Sequence, residues 1–287
     1  MIIVRIIGGL GNQMFQYAFY KYLKEKYINV KCDIVGFERY KLHTGFDLEK
    51  VFNIQVDKAS LFEIKLVTDF HKQDIFSKII RKILGNKASH IKESNYYVEI
   101  IDSSNDYYLD GYWQSEKYFG NQEQLKLDFA FNQNYDKKDS KAVELICSCN
   151  SVSVHVRRGD YVGNKVYVHL DEAYYNNAMN VLQNQIKNPV YFIFSDDIIW
   201  AKESLIPRLQ LKSDIVFIEK NSEIPYNDMR LMALCNHNII ANSSFSWWSA
   251  WLNKNNNKVV VAPMQWYTNP IMNTQHVEQL PISWMKI

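Results

Sequence analysis

The sequence predicts an α/β protein made of two Rossmann-like, doubly wound lobes that face a central cleft. Three observations lead there. At 287 residues the chain exceeds the roughly 150 residues of a typical domain. It opens on a strand, a glycine turn and a patterned helix, and from residue 141 onward short apolar runs alternate with stretches of helical period. Open sheets of this kind bind ligands outside the carboxyl ends of their strands, so two such sheets imply a ligand cleft.

Residues 2 to 7, "IIVRII", read as a buried strand, and "GGLG" forces a tight turn after it. In the following "NQMFQYAFYKYLKEK", Met14, Phe15, Ala18, Phe19, Tyr22 and Leu23 recur with the period of a helix. "VKCDIV" at 30 to 35 supplies a second strand and completes a βαβ unit with a parallel sheet. Residues 60 to 106 mix charged helical stretches with no clear strand, whereas "YYLDGYWQSEKYF" at 107 to 119 reads as a strand, a glycine turn and the start of an aromatic-rich helix. The polar run "NQNYDKKDSK" at 132 to 141 is the candidate connector, which sets the lobes at 1–140 and 141–287. Beyond it come helix "KAVELICSC", strand "SVSVHV", helix "LDEAYYNNAMNVLQNQ" and strand "VYFIFSDD". The series continues through strand "DIVFIEK", helix "YNDMRLMALCNH", strand "NIIAN", helix "SWWSAWLNK" and strand "KVVVAP".

Hydrophobic residues at 47% and charged residues at 22% describe a chain with a real core, and the 19 Tyr and 7 Trp suit cores and sugar-stacking surfaces alike. The 33 basic and 31 acidic side chains leave a formal charge of +2, which excludes a field that would draw the whole protein onto nucleic acid. Any anion site must be local. Cys32, Cys147, Cys149 and Cys235 lack paired spacing, and we read them as reduced thiols of a cytoplasmic protein. The initial apolar run is too short for a signal peptide, and no uncharged run approaches the roughly 18 residues of a membrane span. "SKIIRKILGNK" at 77 to 87 is basic and amphipathic, so peripheral attachment to the inner face of a membrane stays open beside the simpler reading of a surface helix. No motif specifies an oligomeric state.

The strand ends carry the chemistry. In "SVSVHVRRGDY" at 151 to 161 the period of two puts Val152, Val154 and Val156 on one face and Ser153, His155 and Arg157 on the other. A sheet covered by helices is apolar on both faces, so a Ser, His, Arg row near a strand end marks a ligand side. Arg157 offers planar donors that match phosphate oxygens, and Gly159 lets the backbone turn close by. Arg158 projects the other way and pairs with Asp160 as readily as it binds a ligand.

"GGLGNQM" has Gly9 and Gly11 spaced as in a dinucleotide fingerprint, with Asp33 about 20 residues on, where a ribose acid would sit. Met14 replaces the third glycine, so the motif fits a dinucleotide or a tight turn beside another ligand, and Asn12 and Gln13 offer hydrogen bonds to that ligand. "NSSFS" at 242 to 246 places Ser243, Ser244 and Ser246 at a helix start, where hydroxyls cap and free amides bind phosphate. Trp247 and Trp251, one turn apart, read as core. "SDD" at 195 to 197 reads first as a helix cap and second as an acidic pair for a divalent ion.

Taken together, "GGLGNQMFQYA" at 8 to 18, "GYWQSEKYF" at 111 to 119, "HVRRGDY" at 155 to 161, "FIFSDD" at 192 to 197 and "HNIIANSSFSWWSAWL" at 237 to 252 resemble the bacterial α-1,2-fucosyltransferases of glycosyltransferase family 11. The resemblance runs from residue 1 to about 270, and "HVRRGD" is shared with the wider group of α-1,6- and protein O-fucosyltransferases. It implies a GT-B architecture, with the first lobe on the acceptor side and the second binding GDP-β-L-fucose. It also implies inversion at the anomeric carbon, a terminal β-galactoside as acceptor and no required metal or other cofactor. By the same resemblance Arg157 would hold the β-phosphate, and His155 and Asp228 would lie near guanine or ribose. The turn Ser243, Ser244, Phe245 and Ser246 would line the diphosphate, and Asn12 would lie near the transferred sugar. The donor-side set also takes in Arg158, Asp160, Gly9 and Gly11, and the catalytic set is Arg157, Asn12 and His155. Two rivals remain at this stage: an NAD(P)-dependent oxidoreductase, resting on "GGLG" and Asp33, and a non-catalytic sugar-binding protein, resting on the aromatic content.

Overall fold

A computed structural model describes residues 1–39, 45–52, 54–68, 90–93, 105–131, 137–209, 213–219, 226–278 and 280–287, with isolated positions 79, 82, 83 and 211. The chain divides into two compact units, Met1–Asn132 and Gln133–Ile287. The break precedes the expected boundary at 140/141 because helix Lys137–Cys147 runs through that point and seats Ile146 in the second unit's core.

In the first unit, β1 (Ile2–Arg5), β2 (Val30–Asp33), β3 (His90–Lys92) and β4 (Tyr107–Asp110) form a parallel sheet in the order β2-β1-β4-β3. Ile2, Ile3 and Val4 are β-branched and buried on both faces of β1, as a covered parallel sheet requires. The helix Leu10–Lys26 buries Met14, Phe15, Ala18, Phe19 and Leu23, while Tyr22 stays half-buried. β3 is the strand that sequence patterning missed, since the three residues His90, Ile91 and Lys92 are too few to show alternation. The expected helix start after Gly111 is a single 3-10 turn, Glu116–Tyr118, capped by Ser115.

In the second unit, β5 (Asn150–Val156), β6 (Pro189–Ser195), β7 (Ile215–Phe217), β8 (His237–Ile239), β9 (Val260–Ala262) and β10 (Met285–Lys286) are all parallel. Their order, β10-β9-β8-β5-β6-β7, winds outward from β5 in both directions, so the connection reverses between β5 and β8. Ligands of doubly wound sheets bind outside the carboxyl ends at this reversal. Val152, Val154 and Val156 pack with Tyr175, Met179 and Ile193 on one side, and Phe192 and Phe194 pack with Leu231 and Met232 on the other. Trp247 and Trp251 are buried, with ring centroids 6.4 Å apart, as the core reading expected.

Among the described residues no helix is long and apolar enough to cross a membrane. The amphipathic stretch 77–87 lies outside the described residues except for the exposed Ile79, Lys82 and Ile83. Cys32, Cys147, Cys149 and Cys235 are free thiols.

Candidate active site

The loops after β5 and β8 meet the reversal point, and the first of them is organised by carboxylates from β6. Arg157 follows the last residue of β5. Its Nη1 lies 3.0 Å from Asp196 Oδ2 and its Nη2 lies 2.6 Å from Asp160 Oδ1. Asp196 also accepts the backbone N–H of Arg158 (2.8 Å, Oδ1) and of Gly159 (3.0 Å, Oδ2), which ties the β5 turn to the end of β6. The guanidinium carbon of Arg157 sits 5.5 Å from the centre of the Tyr161 ring, and Tyr161 stacks on Tyr167 at 4.4 Å while donating to Asn242 O at 2.8 Å. Arg157 Nε is buried and has no hydrogen-bond partner.

This pairing corrects the expectation for Arg158 with Asp160. Arg158 Nε meets Asp197 Oδ2 at 3.2 Å, and its guanidinium lies 4.2 Å over the Trp200 ring. Asp160, three residues on from Arg157, takes Arg157 instead. The cluster holds three carboxylates against two guanidiniums, so an incoming anion must compete for Arg157. Asp196 and Asp197 are fixed by backbone amides, Asp197 through Trp200 N at 3.1 Å. Asp160 is 58% exposed and is the carboxylate an anion displaces at least cost. These bonds also occupy the "SDD" pair, with Asp197 serving as the helix cap. Among the described residues no group of three or more His, Cys, Asp or Glu is arranged to hold a metal ion.

The polar row expected along β5 is only partly a ligand side. Ser153 accepts from Asn238 Nδ2 (2.7 Å), which also donates to Met232 O (2.8 Å), so Ser153 is a buried fastener between sheet and helix. His155, at the strand end, is buried with Nδ1 unpartnered and its ring centroid 6.0 Å from that of Phe245. Burial, and then the charge of Arg157, push its pKa down to about 3 against the pull of Asp196. It is a neutral imidazole at physiological pH and a poor proton acceptor there, suited to hydrogen bonding.

After β8, two of the three expected serine hydroxyls are consumed locally. Ser243 caps helix Ser244–Leu252 by accepting from Phe245 N (3.3 Å), and buried Ser246 accepts from Ala241 N (3.2 Å) and donates to Ser243 O (3.3 Å). Ser244 alone keeps a hydroxyl without a hydrogen-bond partner among the described residues, beside the amides of the helix N-terminus. Phe245 is half-buried against Leu231 and Met232. Asp228 lies in the first turn of helix Asn227–Leu234, half-buried. That helix leaves β7 and delivers the chain to parallel β8, so its N-terminus stands at the carboxyl edge of the sheet.

A second constellation sits in the first unit. Gly9 and Gly11 adopt ordinary backbone positions, Gly9 as N-cap (φ −75°) and Gly11 inside the first turn. The glycine of this turn whose backbone favours glycine is Gly8, with φ +84° and Asn12 Nδ2 only 2.8 Å from where a Cβ would stand. Asn12 Oδ1 accepts from Gln114 Nε2 at 2.8 Å, joining the turn after β1 to the turn after β4. Gln114 follows Trp113, a buried tryptophan held at φ 56°. Glu93 accepts from Tyr112 N (2.6 Å) and Trp113 N (3.0 Å), and Gln16 Nε2 donates to Gly111 O (2.9 Å). A bulky residue at positive φ persists only where its surroundings over-determine it, and here they aim Gln114 at Asn12. Gln13, expected to face a ligand, donates to Gly8 O and Gly45 O and accepts from Asp47 N, so it holds the turn. Asp33, the expected ribose acid, is buried and accepts from Tyr108 OH (2.6 Å) and Val35 N (2.9 Å), which removes the basis of the dinucleotide reading.

Sequence reasoning missed Gln114, Glu93 and the role of Asp196. Only Asp196 left a signal, as an acid ending the strand next in sequence to β5.

Residues 1–287 match the profile of Glycosyl transferase family 11. The chain is 36% identical over 296 residues to the alpha-1,2-colitosyltransferase of Escherichia coli, covering 100% of this chain and 99% of that protein. It is 31% identical over 290 residues to the O-antigen biosynthesis glycosyltransferase WbnK of Escherichia coli, covering 91% and 93%. Over 106 residues it is 34% identical to the mouse galactoside 2-alpha-L-fucosyltransferase Sec1, covering 35% of this chain and 28% of that protein.

Proposed function

The chain belongs to glycosyl transferase family 11, and from that membership we propose that it transfers L-fucose from GDP-β-L-fucose to the 2-hydroxyl of a terminal galactose, with inversion. The acceptor hydroxyl attacks the anomeric carbon and gives up its proton as the bond to the β-phosphate oxygen breaks and GDP leaves. The name of the full-length relative WbnK supports an acceptor in O-antigen assembly, and that of Sec1 supports the galactoside 2-position.

The observation that carries the reading is Arg157, held by Asp196 at the carboxyl end of β5, where the strand order reverses. Charge develops on the diphosphate as GDP departs, and a guanidinium already fixed in place stabilises it without reorganisation. We assign the donor to the second unit, with the diphosphate at Arg157 and Ser244 and the nucleoside toward His155 and Asp228. The acceptor side, with Asn12 and Gln114, is assigned to the first. No divalent metal is required in this scheme, because both carboxylates of "SDD" are committed to amides and guanidiniums. The free thiols fit a reducing cytoplasm.

The test is release of GDP from GDP-fucose on addition of a β-galactoside, with the linkage read by NMR and the assay repeated in excess EDTA. Activity that depends on added manganese refutes the metal-free scheme, and no transfer to any galactoside refutes the acceptor. A second donor reading rests on the full-length similarity to a colitosyltransferase. Colitose is L-fucose without its 3-hydroxyl, and competition between the two GDP-sugars decides which is used.

A further inference from the structure

β5, β8 and β9 are neighbours in the second sheet, and one buried residue joins the three loops that leave their carboxyl ends. Asn242 stands just beyond β8 and is 2% exposed. Its Nδ2 donates to Val168 O at 2.8 Å, in the loop after β5, and to Trp266 O at 3.1 Å, in the loop after β9. Its own backbone oxygen accepts from Tyr161 OH at 2.8 Å, so Asn242 grips the β5 loop at both ends. Two carbonyls around one buried nitrogen need a group that donates twice and brings no charge out of water. An asparagine amide supplies this, and neither aspartate nor leucine does.

We infer that Tyr161 and Asn242 are positioning residues that set the spacing between the two halves of the diphosphate site. Tyr161 belongs to the turn that carries Arg157, whose guanidinium carbon lies 5.5 Å from its ring centre, and the same ring stacks on Tyr167 at 4.4 Å. Asn242 directly precedes Ser243, the cap of the helix whose N-terminus presents Ser244. The bond from Tyr161 OH to Asn242 O is therefore a direct link between the cation and the helix start. Asp196 ties the Arg157 turn to the end of β6, so the turn is held from the strands on both sides of β5. Preorganised donors stabilise charge only where they already stand in place. A ligand that spans both halves senses their spacing, whereas one that touches a single half does not. The inference rests on the guanosine-diphosphate donor proposed above.

The experiment titrates wild type, Tyr161→Phe and Asn242→Ala with GDP and with GMP, and records the melting temperature of each ligand-free protein. Tyr161→Phe removes one oxygen and keeps the ring against Arg157 and Tyr167, so the fold survives with a small fall in melting temperature. GDP, whose two phosphates reach both halves, is expected to bind this variant about fivefold or more weakly. GMP, with one phosphate, stays within about twofold of wild type. Asn242→Ala, where it folds, contracts the GDP-over-GMP preference in the same way, and Tyr161→Phe decides where it does not. GDP affinity within about twofold of wild type in Tyr161→Phe overturns the inference, as does an equal loss for both nucleotides, which is what a fastener with no part in spacing produces. A wild-type protein that does not bind GDP overturns the donor reading, and the inference with it.

Discussion

Arg157 and Asp196 face each other at 3.0 Å across the ends of β5 and β6, and the same carboxylate holds the backbone amides of Arg158 and Gly159. One side chain fixes both the guanidinium and the turn that carries it. Hydrogen bonds to a charged group contribute about 1.5–3 kcal/mol each, and Asp196→Ala removes three. Partial exposure reduces the total, and we expect a loss of about 3 kcal/mol, a fall in melting temperature of roughly 6–12 °C by calorimetry. Transfer should drop at least tenfold. A variant with unchanged melting temperature shows that the turn does not depend on Asp196.

Asp160 should behave in the opposite sense. Its exposed carboxylate occupies the Arg157 nitrogen that an anionic donor would use. Exposed ion pairs contribute only about 0.2–1 kcal/mol, so Asp160→Asn is expected to tighten GDP binding by a factor of about two to five without altering stability. Weaker binding in this variant would place Asp160 among the groups that contact the donor, as the sequence reading had it.

Gly8→Ala tests the first constellation. The substitution meets both a left-handed backbone and the Asn12 amide, and it should cost about 1–2 kcal/mol while displacing Asn12 from Gln114. Turnover falls, and GDP affinity, assigned to the other unit, stays as in wild type. An equal loss of both ties the two sites together more closely than this assignment allows.

Stability should fall with acid through two buried histidines. His155 and His276 are both held near a pKa of about 3 by burial, against 6.5 for an ordinary imidazole. The unfolded chain therefore takes up protons that the folded one refuses. The stabilisation is complete above pH 6.5 and is lost as the pH falls from there toward 3, at about 1 kcal/mol per histidine between pH 6.5 and 5.5. His276 packs against Trp266, with ring centroids 4.2 Å apart, so His276→Phe should narrow the gap in melting temperature between pH 7.5 and 5.5. An unchanged gap contradicts the burial argument. His155 itself, neutral throughout, should leave no limb in the pH profile of turnover between pH 5 and 8.

The strands and crossover helices were legible because buried parallel strands are apolar runs and their helices repeat every 3.6 residues. β3 was not, since the three residues from His90 to Lys92 carry no period. Strand parity singled out Arg157, yet its partner Asp196 lies 39 residues away, just past the end of β6, and only the sheet register that sets His155 beside Phe194 brings the two strand ends together. Local composition could not separate Ser244 from Ser243 and Ser246, which are spent on capping and on Ala241. Nor could it show that Gly8, rather than Gly9 or Gly11, has positive φ. Side-chain pairings set by tertiary folding leave little trace in spacing.

The central claim is that the fixed guanidinium of Arg157 stabilises the departing diphosphate. Loss of one such contact typically costs about 3 kcal/mol, on the order of a hundredfold in rate. The measurement is the rate of transfer from GDP-fucose to a β-galactoside by Arg157→Ala beside wild type, with folding checked by circular dichroism and melting temperature. A folded variant slowed about a hundredfold or more is the predicted result, and a folded variant with near-normal turnover contradicts it.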